Sequence, residues 1–284
     1  METLKKKLNA LLEAKVKLDE SLMNKPPKSI LQDAIQGKLI PQNPTDEPAS
    51  VLLERIAAEK QQLVKDGKLK AKDAVTSVIF KGDDNKYYEQ IGSNVQDISE
   101  EIPFEIPDTW AWTRLGNLVS NNAGLAYSKG DLDKKSDKPI RVLRGGNISD
   151  GSWAVRDDDV MIAPEFVNPK LLLRKGTFIT PAVTSLERMG KTALISDNLD
   201  DIVVGGFVLM LVPYHLDDTM LHYLLDFFQT TYYKQYCTSI TNKSGQAFYN
   251  ISRSKLMQCL VPIPSIREQQ RIVQKIAEIQ TLIQ

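Results

Sequence analysis

Apolar positions recur along this chain with two different periods, and the change of period divides it. Leu4, Leu8, Leu11, Leu18 and Leu22 follow a four-three-four spacing, with Lys15 at the one a/d position that is not apolar. Such a stripe predicts a coiled-coil-like helix. Pro26 and Pro27 interrupt it. A second helical pattern runs from Ser29 to Leu39, with Ile30, Leu31, Ala34 and Ile35 on one side, and stops at Pro41 and Pro44. Pro48 then opens a third, where Val51, Leu52, Ile56 and Leu63 keep one apolar face and Gly67 marks the end.

From Val75 the period shortens to that of strands. Val78 to Phe80, a Gly82-Asp83-Asp84-Asn85 turn and Tyr87 to Ile91 predict a hairpin. Further strands are expected at Trp110 to Arg114, Ile140 to Leu143, Gly176 to Thr180, Thr192 to Ser196 and Val203 to Val212. Leu221 to Tyr236 predicts one buried helix, with Leu224, Leu225, Phe228 and Tyr232 inward. After Pro262 and Pro264, Ile272, Ile276, Ile279 and Ile283 resume the heptad spacing.

The expected fold is therefore α+β, one globular domain flanked by coiled-coil-forming helices. Its parts are a helical region over 1–70, an acidic hairpin and linker over 71–109, a main domain over 110–262 and a heptad helix over 263–284. Each buried branched side chain of a heptad stripe is worth roughly 1.5 to 3 kcal/mol. The two stripes should thus pair with each other or with a partner; short as they are, they also fit a role in capping the local core.

A length of 284 residues, with 42% hydrophobic and 25% charged residues, suits one large or two moderate domains. No apolar run approaches a bilayer span, so no membrane partner is expected. Met1 to Leu22 has no apolar leader core or small-residue cleavage site, which places the chain in the cytoplasm. Net charge is zero, yet residues 71–109 hold 3 basic and 9 acidic residues while the remainder is mildly basic. That distribution permits nucleic-acid binding without requiring it.

Catalytic chemistry finds little support. Cys237 and Cys259 form no metal-binding pair, and His215 and His222 lack the spacing of a metal-ligating helix. Gly145-Gly146 and Gly205-Gly206 are isolated pairs, far weaker than a glycine-rich cofactor loop. Asp157, Asp158 and Asp159 are consecutive, which suits a solvated turn better than a shared metal. Neither a catalytic residue, nor a metal, nor a cofactor bound by this chain is expected.

Three stretches carry a family resemblance. Residues 29–68 (SILQDAIQGKLIPQNPTDEPASVLLERIAAEKQQLVKDGK), 100–118 (EEIPFEIPDTWAWTRLGNL) and 245–276 (GQAFYNISRSKLMQCLVPIPSIREQQRIVQKI) resemble the specificity subunits of type I restriction-modification enzymes. The first is similar to that family's helical spacer, the second to the entry strand of a target-recognition domain, the third to its exit strand and long helix. Residues 141–151 and 172–195 fit looser family patterns. The resemblance implies a non-catalytic subunit that reads double-stranded DNA, with 110–262 as the target-recognition domain. It also implies modification subunits that bind S-adenosylmethionine, and a restriction subunit acting as translocase and nuclease. Family members usually carry two recognition domains, whereas this sequence holds one; a homodimer through the terminal helices would restore the pair. An adaptor that binds protein alone is the alternative from a different class.

A DNA reader needs cations for phosphates and side chains that reach base edges. Arg141, Arg144 and Asn147 surround the Gly145-Gly146 turn, where either arginine also fits a solvated strand end. Thr184, Ser185, Arg188 and Lys191 form a second polar loop that equally suits a tolerant hairpin tip. Thr241, Asn242, Lys243, Ser244, Gln246 and Tyr249 form a third; the resemblance implies that it lies near DNA, and turn chemistry alone selects similar residues. Lys129 is a weaker phosphate candidate beside Asp131 and Asp133.

Overall fold

Proline opens the first two helices and glycine closes them, so the helix expected over Ser29 to Leu39 starts on the prolines expected to interrupt the pattern and ends at Gly37, ahead of Pro41 and Pro44. The computed structural model describes residues 26–132, 136–244 and 247–283; the Leu4 to Leu22 stripe lies outside them. Helix α1 (Pro27–Ile35) starts on Pro26 and Pro27, and α2 (Ala49–Lys65) on Pro48. Both end in the same way: the amides of Gly37 and Lys38 bond the carbonyls of Ala34 and Asp33, and those of Gly67 and Lys68 bond Val64 and Leu63. Each glycine has φ +68°, the left-handed turn in which this terminator needs a residue without Cβ. At Gly37 a side chain would also lie 2.4 Å from Cγ of Pro107.

The following segment forms a three-stranded antiparallel meander of β1 (Val78–Lys81), β2 (Tyr87–Ile91) and β3 (Asn94–Asp97). The third strand was not expected, because its residues are exposed and carry no alternation. The meander packs on strand β4 (Ala111–Arg114), paired antiparallel with the late strand Leu260–Ile263. Tyr87, Ile98, Trp112 and Leu260 share a small core there. Arg114 and Glu89 form a buried ion pair beside it, Nη2 to Oε2 at 2.6 Å.

A short helix α3 (Leu115–Leu118) leads to β5 (Val119–Ala123). The remaining strands are β6 (Ile140–Leu143), β7 (Val160–Ile162), β8 (Phe178–Pro181), β9 (Val183–Thr184), β10 (Ala193–Leu194), β11 (Ile202–Val204) and β12 (Val208–Pro213), then β13 (Thr241–Ser244), β14 (Phe248–Ile251) and β15 (Leu260–Ile263). They assemble as β10-β8-β12-β5, β11-β6-β7 and β13-β14-β9, with β15 on β4. Only β11 against β6 is parallel among the strand pairs of the described residues.

Two expected elements are split. The apolar run 203–212 is two strands, because Gly205 to Phe207 turn the chain between β11 and β12. The helix expected over Leu221 to Tyr236 is α4 (Asp218–Gln229) and α5 (Thr231–Ser239). Thr230 separates them: its extended backbone caps α5 through Oγ1, which accepts from the Tyr233 amide at 3.2 Å. A short α6 (Arg253–Met257) precedes β15, and α7 (Ile266–Ile283) closes the chain.

Three isoleucines of the C-terminal stripe are already covered within the chain. Ile272, Ile276 and Ile279 are buried in the main core with Ile30, Leu31 and Ile35 of α1 and Leu224 and Phe227 of α4. The molecule is thus a mixed helix-and-sheet fold in which a layer of α1, α4 and α7 supports the sheets.

Candidate nucleic-acid interface

Three sequence-distant loops meet at one cleft of about 950 Å³. Its walls include Arg144, Asn147, Thr184, Ser185 and Arg188 from the sequence-derived set, and also Arg156 and Phe248. The arrangement follows from strand order. β6 runs into the Gly145-Gly146 turn, β9 follows β8 directly with Ala182 between them, and β14 pairs with β9 through Tyr249 opposite Thr184 and Asn250 opposite Val183. The third loop is thereby laid along the second.

The first loop is fixed by a buried carboxylate. Asp159 accepts hydrogen bonds from Asn147 Nδ2 at 2.7 Å, the Arg156 amide at 2.8 Å and Arg141 Nη1 at 3.1 Å. Its side chain is wholly buried. Burial pushes its pKa up, but these donors and the Arg141 charge outweigh that and hold it below the usual carboxylate value. Asn147 Oδ1 also accepts from the Arg144 amide at 2.8 Å, and its Nδ2 also donates to the Ala154 carbonyl. Arg141 and Asn147 therefore hold the loop in shape. The fork of Arg141 is taken up by Asp159 and the Arg156 carbonyl.

Arg144 points outward with Nη2 on Asp158, 2.8 Å from the carbonyl and 2.9 Å from Oδ2. Arg156 is exposed and has no ion-pair partner among the described residues. Arg188 reaches from the second loop to the Gly145 carbonyl at 3.4 Å, a weak contact that leaves its remaining donors facing the cleft. These three guanidiniums, opposed by Asp158, give the cleft a positive wall suited to phosphates or to the acceptor edge of guanine.

The other candidates divide. Thr184 is 6% exposed and bears on packing beneath the cleft. The Lys191 carbonyl accepts from Thr180 Oγ1 at 2.9 Å, and Lys191 is not among the residues around the cleft. Lys129 sits in a single turn capped by Ser128 and Asp131, two residues beyond the cleft residue Tyr127. Thr241, Asn242, Lys243 and Ser244 form β13 on the far side of β14, and Thr241 Oγ1 donates to the Thr238 carbonyl at the end of α5. Gln246 lies outside the described residues.

Sequence reasoning missed Arg156, Phe207 and Phe248. Phe207 directly follows the Gly205-Gly206 pair, and that signal was available: a large apolar residue at the tip of a glycine turn has no strand face to fill. Phe207 is 72% exposed and Phe248 56% exposed.

Elsewhere, His215 Nδ1 meets Glu59 at 2.9 Å and His222 Nδ1 meets the Asp218 carbonyl at 2.7 Å. Among the described residues no group of three His, Cys, Asp or Glu side chains is placed to hold a metal, and no helix is long and apolar enough to cross a membrane.

No family model matches the chain. The specificity subunit of the type I restriction enzyme EcoAI of Escherichia coli is 30% identical over 257 residues, which cover 89% of this chain and 39% of that protein. Over most of its length the chain is similar to the specificity subunits of type I restriction enzymes. A second such protein, the EcoEI specificity subunit of Escherichia coli, is 24% identical over 254 residues, covering 88% of this chain and 39% of that protein. The chain thus spans about two fifths of the length of these specificity subunits. Among solved structures, the HsdS subunit from Thermoanaerobacter tengcongensis matches with a TM-score of 0.46 and 17% identity, over 83% of this chain and 49% of that one.

Proposed function

We propose that this chain is a non-catalytic DNA-specificity subunit, in which residues 110–262 read one half-site of a double-stranded target. Its helical regions would hold the modification and restriction subunits. The observation that carries the reading is the convergence of segments 144–158 and 183–188 and Phe248 at the start of β14 on one cleft bearing Arg144, Arg156 and Arg188. Their placement is supported by a rigid carboxylate hub at Asp159, the kind of preorganisation that sequence discrimination needs. The chain itself is proposed to hold no cofactor; S-adenosylmethionine belongs to the modification subunit in this reading.

A second copy of the chain would supply a second recognition domain and, by two-fold symmetry, a palindromic split site. The burial of Ile272, Ile276 and Ile279 within the chain leaves the Leu4 to Leu22 stripe as the seam proposed for that pairing.

The test is selection from a random duplex library by the chain assembled with its modification subunits. One enriched sequence class is expected, with log K falling linearly against log salt as phosphates release counterions. Binding without sequence preference, or no DNA binding, overturns the reading and favours a protein-only adaptor. Light scattering of the same complex checks the pairing: one copy per complex at every concentration overturns the dimer.

A further inference from the structure

Phe207 and Phe248 are large apolar side chains left in water on the same cleft as three arginines. Phe207 stands at the tip of the turn between β11 and β12, Phe248 at the start of β14. Neither ring stacks on another aromatic ring among the described residues. The cleft beneath them is lined by Val183 and Val208, so apolar surface continues inward from the exposed rings.

A single exposed phenylalanine is ordinary, but two on one cleft whose apolar lining continues inward form the kind of patch that marks a binding surface. The partner must also accept the positive wall made by Arg144, Arg156 and Arg188. An anionic duplex meets both demands, because the charge lies on its outside and broad apolar surface lies on the faces of its bases. Those faces become available only when a base step opens. A protein surface rich in aliphatic groups would satisfy the rings but leave the arginines without counter-charge.

We propose that Phe207 and Phe248 enter the DNA and pack on base faces at an opened step within the recognised half-site, so that the chain reads deformability as well as base edges. The proposal rests on the DNA-reading function above. Sequence preference at the opened step would come from the cost of unstacking it, lowest at pyrimidine-purine steps. Arg156 and Arg188 would hold the flanking phosphates while the step is open.

The experiment places 2-aminopurine at successive positions of the selected half-site and follows its fluorescence on binding. The full chain is used alone, and again with its modification subunits. Leaving those subunits out separates the signal from a target base extruded by the methyltransferase. Fluorescence should rise at one step with wild-type chain and stay flat with F207A/F248A. The F207L/F248L variant, which keeps apolar wedges, should recover it at least in part. Loss of two stacked contacts should weaken specific binding by roughly 10- to 100-fold with the salt dependence unchanged. Both rings are exposed, so unchanged thermal unfolding is expected of each variant.

Normal binding and salt dependence with no fluorescence rise at any position overturns the wedge and leaves DNA reading intact. Wild-type fluorescence and affinity in F207A/F248A, with loss of assembly with the modification subunits, also overturns it and makes the rings a protein contact. Absence of any DNA binding by the wild-type assembly overturns both proposals together.

Discussion

Asn147 donates from Nδ2 to Oδ1 of Asp159 at 2.7 Å, and neither side chain is open to solvent. This bond closes the loop that carries Arg144 at one end and Arg156 near the other. Replacing Asp159 by alanine takes one acceptor each from Arg141, which keeps the Arg156 carbonyl, and Asn147, which keeps the Ala154 carbonyl, and should cost about 1 to 3 kcal/mol. The carboxyl titrates lower in the folded chain than in the unfolded one. Its contribution is therefore complete above the unfolded value near pH 4 and is lost as pH falls through the lower folded value. Urea unfolding of wild type and D159A should thus differ most at neutral pH and converge in strong acid. A constant difference across that range would refute the account.

Asp158 plays a different part from its neighbour. Its side chain is exposed, and it holds the Arg144 fork through Nη2, which leaves Nη1 and Nε to face a ligand. Releasing the fork in D158A should make Arg144 a freer cation. Non-specific DNA affinity is expected to rise, with the salt slope steeper by about one unit, while the preference at one base position weakens. R156A should lower affinity evenly across sequences and make the slope shallower by about one. Competition binding at two salt concentrations separates the two behaviours.

How far this interface was legible in the sequence depends on the type of signal. Helix ends were legible because proline and glycine act locally, as at Pro48 and Gly67. Two of the loops that meet at the cleft were located by polar composition between strands, whereas the third set fell mostly on β13, away from it. Residue roles inside the loops were not legible, since Arg141 and Arg144 look alike in sequence and only the fold sends one to Asp159 and the other to the cleft. Thr230 was hidden in an apolar run whose period continues across it, and its cap is visible only once its hydroxyl meets the Tyr233 amide. Phe207 was passed over because periodicity assigns apolar residues to cores. The Gly205-Gly206 pair beside it marks a turn tip with no strand face to fill, and it is that local signal, not the period, that points to exposure.

Arg114 on β4 and Glu89 on β2 join the acidic meander to the main domain. The arginine donates from Nε and Nη2 to Glu89 and from Nη1 to both Glu101 and the Gln258 carbonyl. Burial alone would raise the Glu89 pKa, yet hydrogen bonds from Arg114 and Ser77 and the Arg114 charge hold it below its ordinary value. R114M should cost about 3 to 5 kcal/mol by leaving Glu89 buried and unpaired, E89L should cost less because Arg114 keeps Glu101 and the Gln258 carbonyl, and the R114M/E89L double variant should recover part of the R114M loss. A double-mutant cycle by chemical unfolding measures it. Additive losses would mean that the pair does not act as a unit.

Asp226 lies in the supporting layer, on α4, and has no ion pair among the described residues. Burial pushes its carboxyl up to about 7. The folded chain thus retains a proton there that the unfolded chain releases near pH 4. The sign follows directly: the protonated carboxyl is tolerated below pH 4, and stability falls as pH rises through the folded value near 7. Asparagine carries the same shape without the charge. D226N should therefore match wild type near pH 4 and exceed it at pH 8 by about 1 to 3 kcal/mol. The remaining titrating groups are common to both proteins, so the difference isolates this carboxyl. Denaturant midpoints measured across pH 4 to 8 decide it: a difference that grows with pH supports a half-buried, unpaired Asp226, and parallel profiles would place a counter-charge beside it.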